Sequence, residues 1–241
     1  MDRARIKLGK RAFKFDSRTL RLENYLLPTL PAPPTSINWC PNRTSWPMLM
    51  NDSLGDCTIA AILHAVQVWS QDPKKPYNPT DATALSYYEQ FCGYVNGDPN
   101  TDQGGDELNV LNQWRAKKLD THVLEGYVDP QPQNLLHVQQ SIAFFGGIYI
   151  GLQLPVSAQQ QSVWTVVPHD GGVWGGHAVY CYAYNATGPI CASWNEVIPM
   201  TWGFWNKYCD ESHCLLGSAW VPAKDAINYA DFRTDLTKLA G

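Results

Sequence analysis

The stretch MNDSLGDCTIAAILHAVQVW, residues 50–69, decides how the rest of the chain is read. From Cys57 onward it is apolar for more than three turns, which predicts a helix buried on all sides and not one with a wet face. Cys57 falls in the first turn of that helix. Unpaired backbone N–H groups and the positive end of the macrodipole meet there and favour a thiolate over a thiol. This satisfies one requirement for a sulfur nucleophile. His64, two turns further along, reads as a core residue, and Asp72 and Pro73 are expected to end the helix.

Around this helix the chain has the makings of an enzyme or binding protein. Its 241 residues are enough for one large domain or two joined lobes, 44% are hydrophobic and only 17% charged, and it carries ten Trp and twelve Tyr. The net charge of -4 is unevenly spread. Residues 1–25 hold eight Arg or Lys against Asp2, Asp16 and Glu23, a balance of +5 that leaves -9 for the remainder. A basic arm of that kind is suited to docking on the acidic body or on a polyanion, or it stays solvated. The body has no basic stripe interleaved with aromatics, which argues against a nucleic-acid partner. No apolar stretch reaches the roughly 18 residues of a bilayer span, so no membrane role is expected. Seven cysteines without paired metal-ligand spacing, and no apolar leader after the first residues, favour a cytoplasmic address, with secretion left open.

The Pro-rich run PTLPAPP, residues 28–34, predicts a boundary between an arm, residues 1–33, and a folded body, residues 34–241. TDATALSYYEQFC, residues 80–92, predicts a second helix capped by Thr80 and stopped at Gly93, and DELNVLNQWRAKKL, residues 106–119, a third. Residues 34–126 are therefore expected to be mainly helical. From residue 127 to 241 the texture changes to short aromatic and β-branched runs: SIAFFGGIYIGLQL, HAVYCYAYN, PICASW and CLLGSAWV. FWNKYCDE reads as a short helix between strands, and PAKDAINYADFRTDLTKLA as a closing amphipathic helix with Pro222 at its start.

A thiolate enzyme needs a base supplied from elsewhere in the sequence. His177, in GGVWGGHAVYCYAYN, follows Gly175 and Gly176 at the start of a predicted strand, where backbone can approach a substrate closely. His122, His137, His169 and His213 are placed in loops or at element ends. Cys209, Asp210, His213 and Cys214 in CDESHC offer metal-ligating types, but neighbouring strand residues point to opposite faces, so no metal is expected.

These residues together resemble the papain family of cysteine peptidases, of which the chain looks like a divergent member, bacterial or phage in type. PTSINW, residues 34–39, is similar to the motif that opens the mature family chain, and Cys57 follows Trp39 at the family's spacing. Asn51 stands where the family has a Gln that donates to the oxyanion hole. Gly104–Gly105 resembles the Gly pair that hydrogen-bonds extended peptide, GGHAVYCYAYN the strand of the catalytic histidine, and Ser193–Trp194 the pair in which the Trp covers that histidine. The family's orienting Asn, however, is Ala192 here; Asn195, just after Trp194, is the candidate replacement, with Ser193, a water or a backbone carbonyl as others.

The resemblance implies an α+β, papain-like two-lobe fold: a helical N-terminal lobe, an antiparallel β-barrel-like C-terminal lobe, and a cleft between them. It implies a cysteine peptidase, monomeric and without metal or organic cofactor, that hydrolyses peptide or isopeptide bonds of peptide or protein substrates. Cys57, His177, Asn51 and Asn195 are its catalytic set, with Gly104, Gly105 and Trp194 binding substrate. The missing Asn leaves open a Cys–His dyad, a peptide-binding protein with weak or no chemistry, or an amidase or transpeptidase on cell-wall peptides. The arm is expected to lie across the cleft as a short inhibitory segment.

Overall fold

The computed structural model describes residues 2–70, 76–220 and 224–239. The apolar stretch forms α1, Cys57–Trp69, buried along its whole length. Its predicted end at Asp72 and Pro73 lies outside the described residues. Helices α2, Asp81–Cys92, and α3, Glu107–Lys117, pack beside it. Thr80 caps α2 by accepting the Thr83 N–H, and Gly93 ends it in the left-handed conformation, as the sequence predicts.

The second half is a sheet. Strands β2 (Leu124–Val128), β3 (Ile148–Pro155), β4 (Val173–Tyr184), β5 (Pro189–Ser193), β6 (Glu196–Pro199) and β7 (Cys209–Gly217) run in the order β2-β7-β3-β4-β5-β6, with the short β1, Ile37–Asn38, pairing onto β4. All pairings are antiparallel. The sheet stays open, so the barrel-like lobe expected from the resemblance is an open sheet with helices on its faces.

Alternation along β3 and β4 sorts two cores. Tyr149, Ala178, Tyr180 and Tyr182 face α1 and join the core of the first three helices. Ile148, Ile150, Leu152, Leu154, Val179 and Cys181 face the other way, against α4 (Leu135–Phe145) and α5 (Trp202–Tyr208). The start of α1 is thereby fixed against β4, and the Tyr149 hydroxyl ties it to β3 as well by donating to the Thr58 carbonyl at 3.2 Å.

Three expectations are corrected. SIAFF belongs to the end of α4 and not to a strand; Asn134 caps this helix and Gly146, at φ 77°, terminates it. The closing helix α6 is shorter than expected, Tyr229–Leu239, and Pro222 lies outside the described residues. The helix expected over FWNKYCDE ends at Tyr208, and CDESHC forms the first part of β7, which makes Asp210 and Glu211 strand residues along with His213. Among the described residues no disulfide joins two cysteines, and no helix is long and apolar enough to cross a membrane.

The basic arm is folded onto the body. Ile6 is buried in the second core, and Leu22 and Tyr25 in a third with Val128, Phe145 and Phe232. Between these attachments, residues 11–15 are exposed.

Candidate active site

Cys57 is the first residue of α1, and its sulfur accepts the Ala178 N–H at 3.4 Å. Ala178 follows His177 in β4, so residues 120 positions apart in sequence meet where the helix start abuts the strand. The His177 ring is held on both sides. Its Nε2 shares a 2.7 Å hydrogen bond with Ser193 Oγ, and Trp194 stacks on it with centroids 4.3 Å apart and 20° between planes. Nδ1 has no hydrogen-bond partner among the described residues.

Ser193 is therefore the side chain bonded to the ring, in the place expected of Asn195. It ends β5, and the chain turns back at once: Trp194 and Asn195, at φ 49° and 63°, form the two-residue turn into β6. Asn195 stands exposed at the tip of that hairpin. The expectation for Asn195 fails because the turn begins one residue too early for it to lie beside the ring. Trp164, which sequence reasoning overlooked, packs edge-on to both His177 and Trp194.

Asn51 is buried, and its amide donates to Asp56 Oδ1 at 3.1 Å. Burial pushes the Asp56 carboxyl well above the ordinary range despite that bond. One amide hydrogen of Asn51 is committed to Asp56, and the other is left to donate.

The groove in front of Cys57 is filled by the arm. Gly105 N–H donates to the Gly9 carbonyl at 2.8 Å and Arg11 N–H donates to the Gly105 carbonyl at 2.9 Å, so the arm runs parallel to the Gly104–Gly105 segment. On the opposite wall Lys10 N–H donates to the Gly176 carbonyl at 3.0 Å. The fit depends on missing side chains. A Cβ on Gly9 would lie 1.8 Å from the Gly55 carbonyl oxygen, and one on Gly104 would lie 1.9 Å from the Gly9 oxygen.

Three basic side chains anchor this strand. Arg3 pairs with Glu196 and lies over the Trp194 ring, Lys7 meets Asp102 at 2.7 Å, and Lys10, wholly buried, meets Asp210 at 3.0 Å and Glu211 at 2.8 Å. Asp102 also accepts from the Tyr88 hydroxyl and from the Gly55 N–H, two residues before Cys57. Behind Glu211 lie His213 and Glu107, each 3.6 Å or less from a partner in the cluster, and Asp129 bonds the other face of His213.

Covered by the arm, the pair is not ionised. Burial pushes the Cys57 thiol up to about 12, outweighing hydrogen bonds from the Ala178 and Gly9 amides. Burial, with the Arg3 charge nearby, brings His177 down to about 3. The helix terminus that favours a thiolate in the sequence is thus overridden by desolvation while the arm is docked.

No family model matches the sequence and no curated protein does either. Solved structures do. Xylellain, a cysteine protease from Xylella fastidiosa, is similar with a TM-score of 0.68 at 15% identity over 88% of this chain and 96% of that one. The Carica candamarcensis cysteine protease CMS1MS2, solved with E-64, gives 0.55 at 14% identity over 76% and 98%. The Amb a 11 cysteine protease, a ragweed pollen allergen in its proform, gives 0.57 at 14% identity over 78% and 67%. The fold of this chain is papain-like.

Proposed function

We propose, with the papain-like fold as premise, that the chain is a cysteine peptidase held latent by its own N-terminal arm. The observation that carries this is the junction of α1 and β4: a helix-start sulfur one residue from a histidine whose far nitrogen is fixed by Ser193 and whose face is covered by Trp194. With Nε2–H donating to Ser193, Nδ1 is the nitrogen free to take the proton of Cys57. When the arm leaves, water reaches both groups, the cost of charging them falls, and the helix terminus favours the thiolate.

The thiolate then adds to the carbonyl carbon of a peptide or isopeptide bond. The Cys57 backbone N–H and the second Asn51 amide hydrogen receive the developing oxyanion, each donor being worth about 3 kcal/mol in such sites. His177 gives its proton to the leaving amine, and water, deprotonated by the same imidazole, hydrolyses the thioester. Gly104–Gly105 and the Gly176 carbonyl supply the backbone partners that the arm now uses.

The test is hydrolysis of an unfolded protein such as casein by the full chain carrying Gly9→Ala, whose added methyl cannot coexist with the Gly55 carbonyl and so displaces the arm. Peptide products are expected, and none from the Gly9→Ala/Cys57→Ala chain. Absence of products from the unmodified Gly9→Ala chain, when a separate sample of it is fully alkylated at Cys57 by iodoacetamide and so has an open groove, would overturn the proposal.

A further inference from the structure

The arm does more than block the groove: it shows which side chain the groove is built to hold. Lys10 sits one residue beyond Gly9, whose carbonyl accepts the Gly105 N–H. Its side chain leaves the groove through a slot in the sheet where β3 has Gly151; a Cβ there would lie 1.9 Å from Lys10 Cε. The ammonium ends between Asp210 and Glu211, and Gln153 steadies Asp210 by donating to it at 2.8 Å.

Both carboxylates reach the same ammonium because the β3–β7 register shifts between Gly151 and Leu152. Glu211 pairs with Gly151 and Cys209 with Leu152, so Asp210 is the extra residue of a bulge and turns to the side it would otherwise avoid. Deeper still, Glu107 is 1% exposed and neither of its carboxylate oxygens has a hydrogen-bond partner among the described residues. Every acid here belongs to the body and faces a slot that opens beside the nucleophile. An apolar side chain entering that slot would leave the partly buried Asp210 without a cation and Glu211 with His213 alone, at 3.6 Å.

We infer that this slot is the principal specificity pocket and that the enzyme selects substrates presenting a lysine or arginine side chain there, Lys10 being the resident stand-in. The inference rests on the peptidase reading of the groove. Gly151 provides the passage, the bulged Asp210 and Glu211 provide the charge, and Glu107 lies beyond them toward the longer reach of a guanidinium.

The test uses the full chain with Lys10→Ala, which vacates the slot and leaves its acids in place. Peptidyl acyloxymethyl ketones that differ only in carrying Lys, Arg, norleucine or Glu at each successive position are compared by their rates of labelling Cys57. At one position the Lys and Arg probes are expected to react roughly 30-fold or more faster than norleucine, the value of a charge-assisted hydrogen bond. Adding Asp210→Asn and Glu211→Gln should bring that ratio below about threefold, the norleucine probe serving in each chain as the reference for how far the groove is open. Norleucine reacting as fast as Lys at every position would overturn the inference while leaving the peptidase intact. A second readout needs no catalysis: a fluorescent peptide of residues 2–12 should bind the Lys10→Ala chain, and its norleucine-10 form roughly 30-fold more weakly. Equal binding of the two peptides would reject the pocket whatever becomes of the peptidase reading, and loss of all labelling with this binding difference retained would reject only the peptidase.

Discussion

Lys10→Ala should uncover Cys57, and the structure sets the scale. The Lys10 side chain is fully buried, and its ammonium lies 3.0 Å from Asp210 and 2.8 Å from Glu211. Removing one partner of a buried ion pair typically costs about 3–5 kcal/mol, because the remaining charge is left without compensation. Here the lower end applies: Glu211 keeps His213 at 3.6 Å and Asp210 is a quarter exposed. About 3 kcal/mol off arm docking corresponds to roughly a hundredfold rise in the arm-open fraction. If the arm recloses faster than the reagent reacts, alkylation of Cys57 by iodoacetamide rises by the same factor. Mass-spectrometric quantification of the Cys57 adduct over time in the full chain measures it. Gly9→Ala reaches the same open state through backbone sterics and leaves the acids paired with Lys10 until the arm departs, so it should accelerate labelling as well. Less than about a threefold rise in both variants would refute a docked arm as the source of latency.

Acid should loosen the arm without unfolding the body. Burial alone would raise the Glu211 and Asp102 carboxyls. Hydrogen bonds and charges from His213 and Lys10 hold Glu211 below its ordinary value, and those from Lys7 and Tyr88 do the same for Asp102. Groups depressed in the docked state contribute stability above their ordinary values, near ~4, and lose it as pH falls through their docked values. Hydrogen-exchange protection of the Lys10 and Arg11 amides should therefore fall below about pH 4 while that of α1 is retained; flat arm protection would contradict the assignment. Ser193→Ala, in the Gly9→Ala background, should lower kcat about tenfold with KM little changed, since the loss is of one orienting hydrogen bond. An unchanged kcat would show that Trp194 stacking alone positions the ring.

The fold was largely legible because its marks are local. The uninterrupted apolar run of α1, the Thr80 cap and Gly93 stop of α2, and the aromatic strand texture after residue 127 each follow from spacing and residue type. Errors arose where tertiary context decides. SIAFF is as apolar as a strand, and only the left-handed Gly146 and the packing of Ile142 and Phe145 make it helix. CDESHC is too polar to read as a buried strand, yet β7 is buried because its charges are paired with an arm two hundred residues earlier.

The candidate site was legible to the same degree. Cys57 and His177 stood in recognisable settings, but the choice between Ser193 and Asn195 depended on where a hairpin turns, a matter of one residue. The seat of Lys10 was beyond reach, since a bulge placing Asp210 and Glu211 on one side has no sequence mark. Even the helix-terminus argument for a thiolate, sound for an open groove, is reversed by burial under the arm.

The claim on which the rest stands is that His177 turns Cys57 into a thiolate once the arm is displaced. Its most direct measurement is the pH profile of Cys57 alkylation in the Gly9→Ala chain and in the same chain with His177→Ala. With the imidazole present, labelling should already be near its plateau at about pH 6; without it, the rate should climb only through the ordinary thiol range near ~8.5. Superimposable profiles would mean that the sulfur and the ring, though placed side by side, do not share a proton.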